Sequence, residues 1–394
     1  MQKRKVLFIN DSLWSGSGVF RSMLQILKHI AYEKYDVTLF IIPDGPVEQV
    51  MCEQIPPEVN LVIGRDDRHY YRSPKVAVCY LASKTASALH MKKTAKLLRR
   101  KTRGIIRKKR NRTPAETYFA SERFDVLIAN TIPCCSPVGR YIRADKKYVV
   151  YHSSRADFFP EETKEAFSYY DGVVAVSEGV RKILEEAYPE NRDRIETITN
   201  YVDAEDLLRK AAEQDGPPSS NLPVLCTCGR ISHEKGFDLA VEAAWILKEK
   251  GFSFIWYFVG DGSERPRIED MIEKYGLSED IRITGFLPNP YPYIASCDIY
   301  VQSSYEEAQP LAVMEAGILG KAIVSTETVG GRTILNDGEF GILTSISAEG
   351  LAQGIETLLL SPERRAALGN RYSAADNLKE KQAFAQSWDR LLSE

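Results

Sequence analysis

A chain of 394 residues is long enough for two or three domains, each with a full core, and 44% hydrophobic with 27% charged residues is ordinary for a folded protein. No apolar run approaches the ~20 residues of a membrane span, and Lys3, Arg4 and Lys5 lead directly into a strand signal, so a cytoplasmic protein without leader or anchor is expected. Seven cysteines (Cys52, Cys79, Cys134, Cys135, Cys226, Cys228 and Cys297) are odd in number and follow no metal-ligand spacing, which points to reduced thiols used mainly as core filler.

The formal net charge of −2 hides an asymmetry. Residues 1–150 hold 28 Lys and Arg against 13 Asp and Glu, and the remainder holds 24 against 41. Strand signals alternate with helical ones throughout, the pattern of two parallel-sheet domains. The first predicted strand, Val6–Asn10, ends in a Gly-rich stretch containing Gly16, Ser17 and Gly18, and a helix opens near Val19. Bare backbone there can approach a phosphate or an acceptor, although an ordinary tight turn is the plain alternative. The stretch is neither a Walker A loop nor a full dinucleotide fingerprint.

Predicted strands Asp36–Ile42 and Asn60–Ile63 follow. The segment from Met91 to Arg112 then carries twelve basic residues and no acidic one, with Met91, Ala95, Leu98, Thr102 and Ile105 at helical spacing. A cationic helix with an apolar stripe suits an anionic membrane surface. A solvated basic insertion is the alternative; nucleic acid is not expected, because no recognition motif accompanies the patch. Strands Asp125–Asn130, Lys147–Tyr151, Val173–Val176 and Ile195–Thr199 complete the first half, with Ser177 placed to cap the next helix. His152 directly follows one of these strands; alone, it would be taken for a surface or satisfied core residue.

The stretch from Ala211 to Pro223, rich in Gly, Pro, Ser and Asp, is the best linker. Beyond it the predicted strands are Val224–Cys228, Phe254–Val259, Ile281–Thr284, Ile299–Gln302, Ala322–Ser325 and Gly341–Leu343. Two junctions carry chemistry. Arg230 and Lys235 sit in the loop between the Val224–Cys228 strand and a helix predicted over Phe237 to Lys250, where two cations can meet a diphosphate; two solvated surface cations is the bland alternative. Glu307 and Glu315 lie eight positions apart across a second strand–loop–helix junction, with a helix predicted over Ala312 to Leu319 and closed by Gly320. Loops at strand carboxyl ends are where such sheets bind ligands, and free helix-start amides suit anionic or hydroxyl-rich groups.

Gly229-Arg230 with Lys235-Gly236, Val259-Gly260-Asp261-Gly262, Glu307 with Glu315-Ala316, and Val329-Gly330-Gly331 occur in order. Together they resemble the family-4 retaining glycosyltransferases of GT-B fold, over essentially the whole chain. The resemblance implies an α/β protein of two Rossmann-like parallel-sheet domains facing across a cleft. Residues 1–205 would form the acceptor-side domain, joined by a returning C-terminal helix over residues 376–394, and residues 206–375 the nucleotide-sugar domain. It implies retaining transfer from a nucleoside-diphosphate sugar, by expectation a UDP-sugar, to a glycan or lipid-linked acceptor at the inner face of the cell membrane.

In that scheme Arg230 and Lys235 neutralise the leaving diphosphate, and His152 faces the donor sugar. Glu307 and the segment Ala308, Gln309, Pro310 and Leu311 hold the sugar hydroxyls, with Glu315 on the ribose. Gly16, Ser17, Gly18 and Gly262 line the substrate cleft. No Asp-x-Asp is present, and Asp66-Asp67 has no family context, so no metal or other cofactor is expected. The chain departs from the family's usual Glu-Gly-Phe-Gly at Glu307-Ala308-Gln309-Pro310, which brings the Gln309 amide into play and removes one backbone donor at Pro310. A catalytically silent module of this fold, or a GT-B epimerase or phosphorylase, are the rival functions.

Overall fold

The computed structural model describes residues 2–14, 16–42, 47–64, 78, 112–113, 115–213, 216–369 and 374–394. Apart from Arg112, the basic segment that begins at Met91 lies outside them.

Thirteen strands are present among the described residues, in two wholly parallel sheets. The first comprises β1 (Arg4–Asn10), β2 (Tyr35–Ile41), β3 (Asn60–Ile63), β4 (Phe124–Ala129), β5 (Ala144–Tyr151), β6 (Gly172–Ala175) and β7 (Ile195–Thr197), in the order β3-β2-β1-β4-β5-β6-β7. The second comprises β8 (Val224–Cys228), β9 (Ile255–Val259), β10 (Ile281–Gly285), β11 (Ile299–Gln302), β12 (Ala322–Thr326) and β13 (Ile342–Thr344), in the order β10-β9-β8-β11-β12-β13. Parallel strands covered by helices on both faces must be apolar on both faces, so they read as continuous runs. Val6, Leu7, Phe8 and Ile9 are all fully buried, as are Ile299, Tyr300 and Val301.

Both sheets reverse their winding once, between β1 and β4 and between β8 and β11. Chains leaving the carboxyl ends at such a switch point diverge and leave a crevice. Each sequence motif that carries chemistry leaves one of these sheets at a strand's carboxyl end, and those after β1, β8 and β11 belong to switch-point strands.

The helix Gly18–Lys28 begins where Ser17 accepts the Phe20 N–H at 3.2 Å, and the helix Glu178–Ala187 where Ser177 accepts from Val180 at 3.2 Å. The last helix, Ala374–Ser393, returns to the first sheet. Phe384, Trp388, Leu391 and Leu392 join the first core, at the i, i+4, i+7 and i+8 positions of one helix face. Polar contacts on its rim anchor it further: Lys34 and Tyr35 each reach Asp389 at 2.8 Å, and Arg390 pairs with Glu196 at 2.6 Å.

Candidate active site

A cavity of about 1220 Å³ separates the two sheets, walled on one side by loops after β1, β4 and β5 and on the other by loops after β8, β9, β10 and β11. Among the expected site residues, Gly16, Gly18, His152, Arg230, Lys235, Gly262, Glu307, Ala308, Gln309, Pro310 and Leu311 line it. Ser17 does not. It is buried, and its hydroxyl caps the helix, so its role is to start that helix rather than to touch a ligand.

Glu307 is 8% exposed and gathers three donors on one oxygen. Lys235 Nζ is 2.7 Å from its Oε1, Ser304 Oγ 2.9 Å and Gln302 Nε2 3.0 Å. Among the described residues no hydrogen bond reaches Oε2, so the carboxylate is fixed at one end while the other is free to accept from a ligand hydroxyl. Gln302 is fixed in turn: its side-chain Oε1 accepts from the Tyr300 hydroxyl at 3.1 Å. The Val329-Gly330-Gly331 motif supports the same loop from below, because the Gly330 N–H donates to the Glu307 carbonyl at 2.8 Å. That motif is therefore a brace for the carboxylate loop.

Glu315 lies beneath the cleft floor, 1% exposed, on the helix Leu311–Ile318. Its Oε1 takes the guanidinium of Arg21, from the helix Gly18–Lys28 of the other domain, and the Tyr291 hydroxyl at 3.3 Å. Burial, the largest single influence, opposes the charge on Arg21, but Glu315 together with Tyr291 and Cys228 outweighs it and holds the Arg21 pKa above the usual guanidinium range. The second oxygen, Oε2, is buried and unpartnered among the described residues. An acceptor left so is costly unless a ligand satisfies it.

His152 is half-buried at the end of β5, with Nε2 3.4 Å from Asn130 Oδ1. Burial pushes its pKa down to about 4, so the imidazole is neutral near pH 7. Arg230 is exposed to the cavity, and its guanidinium stacks on the Trp14 ring across the cleft. Gln309 departs from the expected role. Its Oε1 accepts from the Asn200 N–H at 2.9 Å and its Nε2 donates to the Asn200 carbonyl at 3.4 Å. The amide is held at both ends by the other domain's backbone, which explains how Gln is accommodated at this position of the motif.

Sequence reasoning passed over several residues that the folded chain brings here: Arg21, Trp14, Tyr291, Gln302 and Arg155. Arg155 spans the cleft to Glu306 at 3.0 Å while also pairing with Asp157 at 2.9 Å. Their only sequence signal is position in or beside the segments that carry the motifs, Arg21 and Tyr291 on helices, Gln302 at the end of β11, and Trp14 and Arg155 in loops. Among the described residues no cluster of three or more His, Cys, Asp or Glu side chains gathers as a metal set.

Two parallel sheets, each switching direction at its own crevice and sharing one cleft lined with two cations and a fixed carboxylate, form a GT-B architecture. Residues 16–206 match the model described as Glycosyltransferase Family 4, and residues 209–373 match Glycosyl transferases group 1. The two matches adjoin and together take in nearly the whole chain, which belongs to the family-4 glycosyltransferases. It is 31% identical over 161 residues to a lipopolysaccharide core biosynthesis glycosyltransferase, LpsE, of Rhizobium meliloti, covering 41% of this chain and 46% of that protein. The chain thus spans about half the length of that relative. It is 22% identical over 359 residues to an N-acetylgalactosamine-N,N'-diacetylbacillosaminyl-diphospho-undecaprenol 4-alpha-N-acetylgalactosaminyltransferase of Campylobacter jejuni, covering 86% of this chain and 93% of that one. The crystal structure of Anabaena HepE in complex with UDP and glucose has the same fold, with a TM-score of 0.73 at 18% identity over 99% of this chain and 100% of that one.

Proposed function

We propose that the protein is a retaining glycosyltransferase that moves a sugar from a nucleoside-diphosphate sugar, a UDP-sugar first among candidates, to a glycan or lipid-linked acceptor of the cell surface. The observation that carries this reading is the convergence on one cleft of Arg230, Lys235 and a Glu307 fixed at one oxygen only. Breaking a sugar–phosphate bond develops positive charge on the sugar and negative charge on the departing diphosphate. Preorganised cations stabilise the latter, the electrostatic effect that usually contributes most. Arg230 and Lys235 take that role. Glu307 Oε2 accepts from a sugar hydroxyl, and the unpartnered Glu315 Oε2 from a ribose hydroxyl. Neutral His152 offers a ring N–H or lone pair to the sugar without adding charge beside the oxocarbenium-like centre. Attack from the face the diphosphate leaves gives retention without a covalent enzyme intermediate. The relatives support the class of acceptor: one is named for lipopolysaccharide core biosynthesis, another for a diphospho-undecaprenol substrate.

Arg230→Ala and Lys235→Ala are each expected to cut turnover with a matched donor and acceptor by orders of magnitude while the fold persists. Cations occupy the diphosphate site in place of a metal, so activity persists in excess EDTA. Either variant working near wild-type rate at saturating donor, or complete EDTA loss restored by Mg²⁺ or Mn²⁺, contradicts the assignment.

The Met91–Arg112 segment serves, in this proposal, as the contact with an anionic bilayer that carries the acceptor, at about 1 kcal/mol per basic residue near the surface. Replacing Arg99, Arg100 and Lys101 with Glu then releases the protein from anionic vesicles in co-sedimentation, and high salt does the same to the wild type. Equal partitioning of the two proteins at low salt refutes that role.

A further inference from the structure

Trp14 lies between β1 and the helix Gly18–Lys28, on the first domain's wall of the cleft, and Arg230 comes from the facing wall. The Arg230 Cζ is 4.5 Å from the centroid of the Trp14 ring, well inside the range in which a cation is attracted to an indole face. Its Nη2 also lies 3.5 Å from the Gly16 carbonyl, at the long limit of a hydrogen bond. The indole in turn rests against Gly16: a Cβ there would lie 2.6 Å from Trp14 Cζ2, too close for any side chain unless the ring moved. The Gly-rich turn after β1 thus makes room for an aromatic ring, and the ring carries the cation.

We propose that Trp14 is a positioning residue that holds Arg230 in register for the donor diphosphate, by cation–π contact across the cleft. The proposal rests on the function argued above. An arginine on an exposed loop samples many rotamers, and a rotamer already fixed when the ligand arrives need not be fixed by it. Trp is the best aromatic face for a guanidinium, Phe a weaker one, and an aliphatic side chain such as Leu provides none. Trp14 and Arg230 come from facing walls of the cleft, so the alignment of the cation depends on both walls being in place.

The test is calorimetric binding of UDP to the full-length protein and to Trp14→Ala, Trp14→Leu, Trp14→Phe, Gly16→Ala, Arg230→Ala and the Trp14→Ala/Arg230→Ala double variant. Loss of the stack at this partly exposed position weakens UDP about two- to five-fold. Trp14→Ala and Trp14→Leu show that loss, Trp14→Phe recovers part of it, and Gly16→Ala, which displaces the ring, resembles Trp14→Ala. The double variant binds no more weakly than Arg230→Ala alone, because Trp14 acts through Arg230. A role in packing alone gives the opposite pattern: Trp14→Leu binds like the wild type, and the Trp14→Ala and Arg230→Ala losses multiply. Either result overturns the proposal while leaving the function intact. A wild-type protein that binds none of UDP, GDP and ADP overturns the functional reading and this proposal together. Melting temperatures of each variant exclude unfolding as the cause, and the Leu and Phe variants decide the matter even if Gly16→Ala does not fold.

Discussion

An imidazole whose pKa is pushed down to about 4 by burial is neutral across the range in which an ordinary histidine titrates. For His152 this has two consequences of definite sign. Unfolding raises its pKa toward 6.5, so between about pH 4 and 6.5 the unfolded chain binds more protons than the folded one. Stability therefore rises with pH through that window, and the contribution is lost as the solution is acidified. His29 is also lowered, chiefly by burial, so the wild-type curve mixes the two. His152→Asn removes one of them, and the difference between the two denaturation-versus-pH curves should flatten above pH 6.5 and slope between 6.5 and 4. The second consequence concerns activity. If neutral His152 only hydrogen-bonds the sugar, Asn should retain more turnover than Ala, and no acid limb near 6.5 should vanish with the substitution. A limb near 6.5 that His152→Asn abolishes would show that the charged imidazole matters after all.

The junctions between elements are where the chemistry is held. The cation loop after β8 ends at Gly236, with φ +62°, immediately before the helix Phe237–Glu249. A Cβ at this position would lie 2.1 Å from the Ser303 carbonyl oxygen, so the loop bearing Lys235 touches the loop bearing Glu307 through bare backbone. The Ser303 hydroxyl and Lys235 carbonyl, 3.0 Å apart, stitch the same contact. Gly236→Ala combines an unfavourable φ with a backbone collision. It should cost about 1–3 kcal/mol in denaturant titration and separate Lys235 from Glu307, lowering turnover as well. Unchanged stability would mean the two loops can part freely. Much of this level was legible in the sequence. Every strand was expected within a few residues, because doubly covered parallel strands announce themselves as apolar runs such as Val6–Asn10 and Ile299–Gln302. Loops bearing Arg230, Lys235 and Glu307 were legible because strand ends in such sheets converge. What was not legible joins distant residues without periodicity. Arg21 meets Glu315, Ser177 donates to the Ala308 carbonyl at 3.0 Å, and Gln309 grips Asn200. No local pattern marks either partner, and Gln309 was assigned to the sugar because nothing in its own neighbourhood points to the facing domain.

At the scale of the whole molecule, chain order and packing order differ. The last helix follows the second sheet in sequence but completes the first sheet's core, so the first domain is unfinished until the chain's end has returned. Phe384, Trp388, Leu391 and Leu392 are at most 6% exposed there. Trp388 packs near Phe8 of the interior strand β1, with ring centroids 6.3 Å apart, and near Phe384 at 6.5 Å. Removing so large a side chain from a packed site loses its transfer free energy and leaves a cavity that surrounding strands cannot collapse to fill. Trp388→Ala should therefore cost about 3–5 kcal/mol, and the loss should fall on one domain. In calorimetry two transitions are expected, because the second sheet has cores of its own that this helix does not enter. Only the first domain's transition should move down. UDP, whose proposed contacts lie largely on the second domain, should still raise the other transition in the variant, by less than in the wild type because the facing wall with Trp14 and Arg21 is less often in place. A single transition shifted as a whole would instead mean that cleft contacts couple the domains into one cooperative unit. The bridges from Arg21 to Glu315 and from Arg155 to Glu306 would then contribute as much to stability as to alignment.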